Sequence, residues 1–364
     1  MTIRNITNYI EELAPLNYAE DFDNIGLLIG NYSSKVTGIL VTLDTLEETI
    51  DEAITKNCNL IISFHPIIFN GLKKLNGNSY VERVVLKAIK NDIAIYATHT
   101  ALDNSKNGVS AKMCEVLGLM NCKILIPKKG IIKKLTTYVP SSNAHALRTA
   151  LFSAGAGAIG NYDQCSFNII GEGTFRGNEH SNPVLGERGK LHIEKETKIS
   201  ITFENKNEVA ILKTLRENHP YEEVAYEIVT TENVHQNIGL GMIGELSSEM
   251  TEEEFLRYLK KTMKTDCVRH SALMNKKIKK VAVLGGSGSF AISNAKRAHA
   301  DAYVSADFKY HEFFKAENSI LLADIGHYES ERFTKNLLVD YLTKKFSNFA
   351  VILSEKSTNP IYYI

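Results

Sequence analysis

Several residue types are absent or scarce in the 364-residue sequence, which contains no tryptophan, seven prolines and five cysteines. The low proline content argues against proline-rich linkers between domains. The cysteines form no Cys-x-x-Cys pair, which excludes a thiolate zinc cluster of the usual spacing. This scattered set favours reduced thiols in a cytoplasmic protein over a disulfide framework. The cysteines are Cys58, Cys114, Cys122, Cys165 and Cys267.

Long apolar runs are missing as well. No apolar stretch approaches the roughly 18 residues that a membrane-spanning helix needs. Residues 1–15 form an amphipathic pattern with acidic residues and lack the continuous apolar core of a signal peptide. We therefore predict a cytoplasmic protein without a membrane-spanning segment.

An excess of charge of either sign is also absent, since 42 lysines and arginines balance 42 aspartates and glutamates. A protein that binds nucleic acid through its overall charge would be basic, so no nucleic-acid partner is expected. Basic runs at 128–134 and 276–280 are interpreted as solvated surfaces near domain junctions. The hydrophobic content of 44% is typical of a globular protein, and the length predicts two or three domains.

The two ends of the chain share one pattern, in which short apolar runs alternate with amphipathic helical segments. This alternation predicts βαβ units and a mostly parallel sheet. The apolar runs lie at 36–44, 58–64 and 93–99, and again at 279–285, 302–307 and 320–326.

The middle of the chain follows a different order of strand, helix, two strands, helix and strand, which is typical of ferredoxin-like domains. We predict an α/β domain formed by residues 1–127 and 238–364. It is interrupted by an inserted ferredoxin-like α+β domain of residues 128–237. Three domains in series are the alternative, and the pattern shared by the outer segments favours the insertion.

Acidic or metal-binding side chains directly follow the predicted strands of the outer segments. Because the carboxyl ends of parallel strands meet at one edge of a sheet, we expect these side chains to converge there. His327 and Glu331 are four residues apart, so a helix that starts near His327 presents both on one face. The full set is Asp44, His65, His99, Asp103, Asp307, His327 and Glu331.

Histidine and carboxylate side chains together suit a divalent ion such as zinc, manganese or iron. A single histidine after a strand is more often a hydrogen-bonded loop residue than a ligand. Asp44 fits the N-cap of the following helix, and Asp307 has the same alternative. The joint occurrence of the remaining residues favours a metal site whose ligands are His65, Asp103, His327 and Glu331.

A glycine-rich turn offers a competing interpretation. Gly286, Gly288 and Ala291 match the G-x-G-x-x-G/A spacing of dinucleotide-binding turns and follow a predicted strand. Such a turn usually opens its domain, whereas this one comes late in the chain. We interpret it as a tight turn able to hold a phosphate through backbone N–H groups, rather than as a nicotinamide or flavin site.

Five segments carry a resemblance to a known family: AEDFDNIGLLIG (19–30), SFHPIIFNGLKKL (63–75), YATHTALDNSKNGVS (96–110), VLGGSGSF (283–290) and ADIGHYESERF (323–333). Over essentially its whole length the chain resembles the Nif-three-like family. Bacterial members of that family are commonly described as type 2 homologues of GTP cyclohydrolase I. The middle segment resembles the insert of the longer members, which is similar to PII-type and copper-tolerance-type ferredoxin-like domains.

The resemblance implies a dinuclear metal site at the mouth of an internal cavity. It also implies a homohexamer, a ring built as a trimer of dimers. The family ligands are two adjacent histidines of an HHP motif, an aspartate after a THTALD-like sequence, and the histidine and glutamate of a GHYxxE motif. Carried over, they are His65, Asp103, His327 and Glu331, of which Glu331 bridges the metals.

One family ligand is missing from this chain. Phe64 stands where the family has the first histidine of the HHP motif, and a phenyl ring cannot coordinate a metal. Either His99 or water takes its place, or the second metal binds weakly. His99 itself has three possible roles, as an orienting residue, a ligand or a proton shuttle, and it is the candidate catalytic residue.

Two functions remain open from the sequence. The first is a divalent-metal-dependent hydrolase, in which metal-activated water acts on a nucleotide or related phosphorylated substrate and His99 transfers a proton. His311 is a weaker candidate for that proton transfer. The second is a non-catalytic metal-binding ring with a regulatory or partner-binding role, which the missing ligand at position 64 favours.

The insert contains none of the four proposed ligands, so we expect it to fold by itself and to be dispensable for metal binding. If metal is lost on its removal, the insert supplies ligands, and the candidates are His145, His180, His192, His219 and His235.

Overall fold

A computed structural model describes all 364 residues. It contains fifteen strands: β1 (Gly26–Ile29), β2 (Ile39–Thr42), β3 (Leu60–Ser63), β4 (Ala94–Ala97), β5 (Met120–Pro127), β6 (Ile132–Pro140), β7 (Phe167–Phe175), β8 (His192–Glu204), β9 (Tyr226–Thr230), β10 (Gly239–Thr251), β11 (Arg269–His270), β12 (Lys277–Ser287), β13 (Ala302–Ala306), β14 (Leu321–Asp324) and β15 (Val351–Leu353).

Eleven α-helices accompany the strands, and none of them is both long and apolar enough to span a membrane. They are α1 (Ile3–Leu13), α2 (Glu47–Thr55), α3 (Tyr80–Lys90), α4 (His99–Asp103), α5 (Val109–Val116), α6 (Ala144–Ser153), α7 (Glu208–Asn218), α8 (Glu252–Met263), α9 (Ile292–Arg297), α10 (His327–Glu331) and α11 (Thr334–Lys345). Short 3₁₀ segments lie at Leu16–Tyr18, Asn205–Asn207, Ser289–Ala291 and Tyr310–Ala316.

The chain divides into two compact units, one of residues 1–127 and 237–364 and one of residues 128–236. The first unit contains two mixed sheets, with strand orders β1-β4-β3-β2-β15 and β11-β14-β13-β12-β10-β5. The expectation of a mostly parallel sheet therefore holds only for part of each sheet, namely β15, β2, β3 and β4 in the first and β12, β13 and β14 in the second. Strands β2, β3 and β4, linked by the helical crossovers α2 and α3, are parallel, whereas β1, β5, β10 and β11 pair antiparallel.

The five-stranded sheet is covered on both faces, which is why its central strands consist of continuous apolar runs. In β3, Leu60 and Ile62 belong to the core cluster that includes α1 and α11, while Ile61 belongs to the cluster that includes α2 and α3. All four residues of this strand are buried. The tight packing fixes the carboxyl end of β3, and with it the position of the next residues in the chain.

The second unit has the order β6-α6-β7-β8-α7-β9 and one antiparallel sheet with the strand order β7-β8-β6-β9. This is the split βαβ arrangement of ferredoxin-like domains. It has its own core, in which Leu147 and Leu151 of α6 and Leu215 of α7 pack with Leu135 and Ile201 of the sheet.

Candidate metal centre

Three histidines line one cavity in the first unit, and each is held by an aspartate through its Nδ1 atom. An aspartate in this position fixes the ring orientation and keeps the proton on Nδ1, so Nε2 is the nitrogen left to bind a ligand. The pairs are His65 Nδ1 with Asp44 Oδ1 at 2.8 Å, His327 Nδ1 with Asp307 Oδ2 at 2.7 Å, and His99 Nδ1 with Asp23 Oδ1 at 2.7 Å.

Each of these aspartates also accepts a hydrogen bond from a hydroxyl group. Asp44 accepts one from Thr358 Oγ1 at 2.5 Å, Asp307 from Ser287 Oγ and Asp23 from Thr100 Oγ1. The hydroxyl holds the carboxylate, and the carboxylate holds the imidazole. The same three-part arrangement therefore occurs three times around one cavity.

Glu331 is the point at which two of these histidines meet. Its Oε2 atom lies 3.2 Å from Nε2 of His65 and 3.2 Å from Nε2 of His327. This oxygen is buried, yet none of its neighbours gives it a hydrogen bond of acceptable geometry. An unsatisfied buried carboxylate oxygen is costly, and a cation that all three side chains share would relieve that cost.

The donor set fits a divalent ion. One atom from each of His65, His327 and Glu331 lies within 4.8 Å of the other two. Imidazole nitrogen together with carboxylate oxygen suits zinc, manganese or iron, and histidines oriented by carboxylates are typical of such centres.

The pKa values of the three side chains also show that the site favours positive charge. Burial alone would lower the pKa of His65 and His327, but their contacts with Asp44, Asp307 and Glu331 raise these values to about 10 and about 11. Burial alone would raise the pKa of Glu331, but the two imidazoles lower it to about 2.

Asp103 lines the same cavity but does not join the three-residue cluster. It is the last residue of α4, four positions after His99, just as Glu331 is the last residue of α10, four positions after His327. Burial and the charge of Glu331 raise the pKa of Asp103 well above its usual range. Of the four ligands that the sequence predicts, the structure groups three closely, and the fourth, Asp103, lines the same cavity.

Phe64 is fully buried and belongs to the core cluster that includes α1 and α11. Its ring centroid lies 4.8 Å from that of His65 and 5.7 Å from that of His99. Phe64, which stands where the family has a histidine, therefore packs in the core next to the imidazole rings of His65 and His99.

The N-cap interpretation of two aspartates is wrong. The N-cap of α2 is Leu46, and the 3₁₀ turn after Asp307 has Lys309 at that position. Asp44 and Asp307 bind histidines instead, because those histidines follow the neighbouring strands β3 and β14 and bring Nδ1 within reach.

Two further contributors were missed by reasoning from the ends of strands. Asp23 precedes β1 and Thr358 follows β15, so neither lies at the carboxyl end of a site-bearing strand. The only sequence signal for Asp23 is its place in the AEDFDNIGLLIG segment. His311 packs against Tyr310 and Phe314 and does not line the cavity.

The glycine-rich turn makes room for the site. A Cβ atom on Gly286 would lie 2.4 Å from Glu331 Oε1, and the Gly286 N–H donates to Ser330 Oγ at 2.8 Å. This backbone donor is therefore used within the protein, and the helix that follows, α9, has only six residues. These observations favour a structural role for the turn over the binding of a dinucleotide.

Comparison with known proteins gives consistent matches. The family model for Duf34/NIF3 (NGG1p interacting factor 3) matches residues 1–360. A protein of Bacillus subtilis (strain 168) named GTP cyclohydrolase 1 type 2 homolog is 38% identical over 371 residues, which cover 99% of this chain and 98% of that relative.

Two crystal structures match along the whole chain. A Bacillus cereus protein related to NIF3 has a TM-score of 0.82 and 36% identity, covering 100% of this chain and 99% of that one. A Staphylococcus aureus protein has a TM-score of 0.79 and 30% identity with the same coverage, 100% and 99%.

Proposed function

The chain belongs to the Duf34/NIF3 family, and on that basis we propose that it is a divalent-metal-dependent hydrolase acting on a nucleotide or a related phosphorylated compound. The observation that carries the proposal is the meeting of two aspartate-held imidazoles at one buried, unsatisfied oxygen of Glu331. The name of the Bacillus subtilis relative supports a nucleotide-like substrate.

In this proposal His65, His327 and Glu331 hold one or two ions of zinc, manganese or iron per subunit, and Asp103 completes the set. A divalent metal supplies Lewis acidity and lowers the pKa of water toward neutrality. The chain contributes the fixed directions of the imidazoles and a buried carboxylate, which require little rearrangement when a metal binds.

His99 is the proposed proton-transfer residue. Its Nδ1 atom is held by Asp23, so Nε2 is the nitrogen that accepts a proton from the attacking water and returns it to the leaving group. The ring centroid of His99 lies 5.4 Å from that of His65, which keeps the base beside the proposed ligands.

Elemental analysis of the purified full chain tests the metal proposal. We expect bound divalent metal in the wild-type protein and its loss in Glu331→Ala, because this substitution removes the oxygen that both imidazoles share. Glu179→Ala, which changes an exposed glutamate of the second unit, is the matched control. Unchanged metal content in Glu331→Ala would contradict the assignment.

A substrate screen with the metal-loaded protein tests the reaction. We expect hydrolysis of nucleotides or phosphate esters that disappears in His99→Asn while bound metal remains. If the His99→Asn protein has lost its metal, His99 is a ligand and not the proton-transfer residue.

A second candidate function is a non-catalytic metal-binding ring with a regulatory or partner-binding role. The observation that favours it is Phe64, a buried phenyl ring at a family ligand position. Metal bound by the purified chain, with no turnover of any substrate in the screen, would support this candidate over the hydrolase.

We further propose a homohexamer arranged as a trimer of dimers, on the strength of the family resemblance. The five free thiols support the proposal that the protein is cytoplasmic. Sedimentation equilibrium measures the assembly directly, and a monomer would contradict it. We also propose that the second unit is the PII-like and copper-tolerance-like insert that the sequence indicated at 128–237.

A further inference from the structure

Three phenylalanines line the candidate metal cavity while remaining largely exposed. Phe22 is 67% exposed, Phe69 is 44% exposed and Phe290 is 58% exposed. Phe22 and Phe69 lie in the loops before β1 and after β3, whereas Phe290 follows β12 of the other sheet. Exposed aromatic rings gathered at one cavity are typical of a binding site, because each ring gains free energy when a ligand covers it.

The loops that carry two of these rings are anchored. Phe22 is followed by Asp23, the carboxylate that holds a site histidine, and by Asn24, whose Nδ2 donates to the carbonyl oxygen of Ile68 at 2.5 Å. Phe69 is the next residue after Ile68. These two hydrogen bonds, one of them to a site histidine, hold the loops that carry both rings, so a ligand has less loop ordering to pay for when it binds.

A row of rings leads from the metal centre to the exposed phenylalanines. The ring centroids of His65 and His99 are 5.4 Å apart, those of His99 and Phe69 are 6.2 Å apart, and those of Phe69 and Phe22 are 6.4 Å apart. A molecule with a planar ring at one end and a metal-seeking group at the other would follow this row. The cavity volume of about 630 Å³ accommodates a ligand of that size.

The charges of the lining limit what the metal-seeking group can be. No lysine or arginine lines the cavity, although these are the side chains that proteins use to neutralise phosphate chains. Three carboxylates, of Glu20, Asp103 and Glu331, do line it. A metal held by the imidazoles would be the main positive charge in the cavity, and each further phosphate of a triphosphate would add negative charge that faces these carboxylates without a counter-charge.

We infer that the substrate class is a nucleoside monophosphate. Its base stacks on Phe69, with Phe22 against the edge of the base because the two phenyl rings are tilted by 55°. Its single phosphate is directed toward the metal that His65 and His327 would hold. This inference rests on the proposed function for the direction of the phosphate. The stacking of the base is independent of metal and of turnover.

Isothermal titration of the metal-loaded full chain with guanosine monophosphate, GTP and glycerol phosphate tests the substrate class. We expect the monophosphate to bind more tightly than either of the others. Tighter binding of GTP, or equal binding of glycerol phosphate and guanosine monophosphate, would overturn the inference.

Phe69→Leu tests the stacking, with Phe22→Leu as the second variant. Base–aromatic stacking predicts a loss of affinity of about 5- to 150-fold for guanosine monophosphate. Phe314→Leu is the matched control, since this ring is 63% exposed and does not line the cavity. Equal affinities of the Phe69→Leu, Phe22→Leu and Phe314→Leu proteins would exclude a stacking role.

Titration of the Glu331→Ala protein with guanosine separates this inference from the proposed function. Binding that still depends on Phe69 supports the base subsite even if the chain holds no metal and hydrolyses nothing. If guanosine does not bind and Phe69→Leu instead changes the sedimentation mass, the rings form a subunit contact and the inference is wrong.

Discussion

The histidines of the two units differ in the nitrogen that the protein uses. In the cavity of the first unit, His65, His99 and His327 each engage an aspartate through Nδ1. In the second unit, the paired histidines use Nε2: His192 with Glu194 at 3.1 Å, His219 with the carbonyl oxygen of Tyr138 at 2.9 Å, and His235 with Glu204 at 3.4 Å.

This difference separates histidines prepared for a ligand from histidines that support the fold. His219 is the clearest structural case, because its Nδ1 also accepts the backbone N–H of Tyr221 at 3.1 Å, and burial lowers its pKa. Both of its nitrogens are occupied within the protein. At the first unit's cavity, by contrast, two Nε2 atoms point to one carboxylate oxygen that lacks a proper partner.

The comparison between the histidines of the two units would be tested most strongly by a new histidine at position 64, which would have no aspartate partner. We predict that Phe64→His increases the number of metals bound or the affinity for the second one, by up to several kcal/mol if the geometry is ready. Without metal the variant should unfold more easily, by about 1–3 kcal/mol, because a polar ring replaces a fully buried phenyl group. Metal titration and urea unfolding of the variant and the parent measure both effects. Equal stoichiometry and affinity would mean that His99 or water already completes the site.

Removing the carboxylate partner of a histidine should lower metal affinity in the first unit and leave it unchanged in the second. Asp307→Asn leaves His327 without its anionic partner, and we expect metal affinity to fall about 10- to 100-fold. The matched change in the second unit, Glu194→Gln at His192, should leave affinity unchanged. Competition with a chelator measures both variants, and a similar loss in the two would remove the distinction between the units.

Removing the hydroxyl behind one aspartate is a milder change of the same kind. Thr358→Val deletes the hydrogen bond to Asp44, and a net hydrogen bond of about 1 kcal/mol corresponds to about fivefold in metal affinity. Thr343→Val is the control, because the hydroxyl of Thr343 bonds only to backbone carbonyls of α11. An unchanged affinity in Thr358→Val would show that Asp44 keeps its position without this hydroxyl.

Removing the second unit entirely should have the smallest effect on metal. A short glycine-serine linker in place of residues 128–236 removes His192, His219 and His235, which bond within the protein through Nε2. We expect the remaining chain to fold with its metal content intact. Elemental analysis and circular dichroism measure the outcome. A folded protein without metal would show that the second unit provides ligands after all.

Particular residues show how far the sequence was informative. The spacing of His327 and Glu331 predicted their shared helix face, and α10 presents both to the cavity because helical periodicity is local. The spacing of Asp103 also indicates a site residue, yet its distance from the other three proposed ligands depends on how α4 packs. The local sequence of Asp44 fits a helix N-cap, and no local pattern indicates its actual partner, because His65 follows a different strand.

The sequence by itself determined most strands and helices and the residue types of the site. Both depend on short segments: the alternation of apolar runs with helical patterns, and the polar residues that follow each run. It indicated the β-α-β-β-α-β order of the middle unit and the histidines and carboxylates at the ends of the outer strands. Only the tertiary structure decided the division into two sheets and the pairing of Asp23 with His99, 76 residues apart, and of Thr358 with Asp44, 314 residues apart. Those pairings determine which imidazole nitrogen remains available to a ligand. They form only when β1 pairs with β4 and β15 pairs with β2, which are contacts between strands far apart in the sequence.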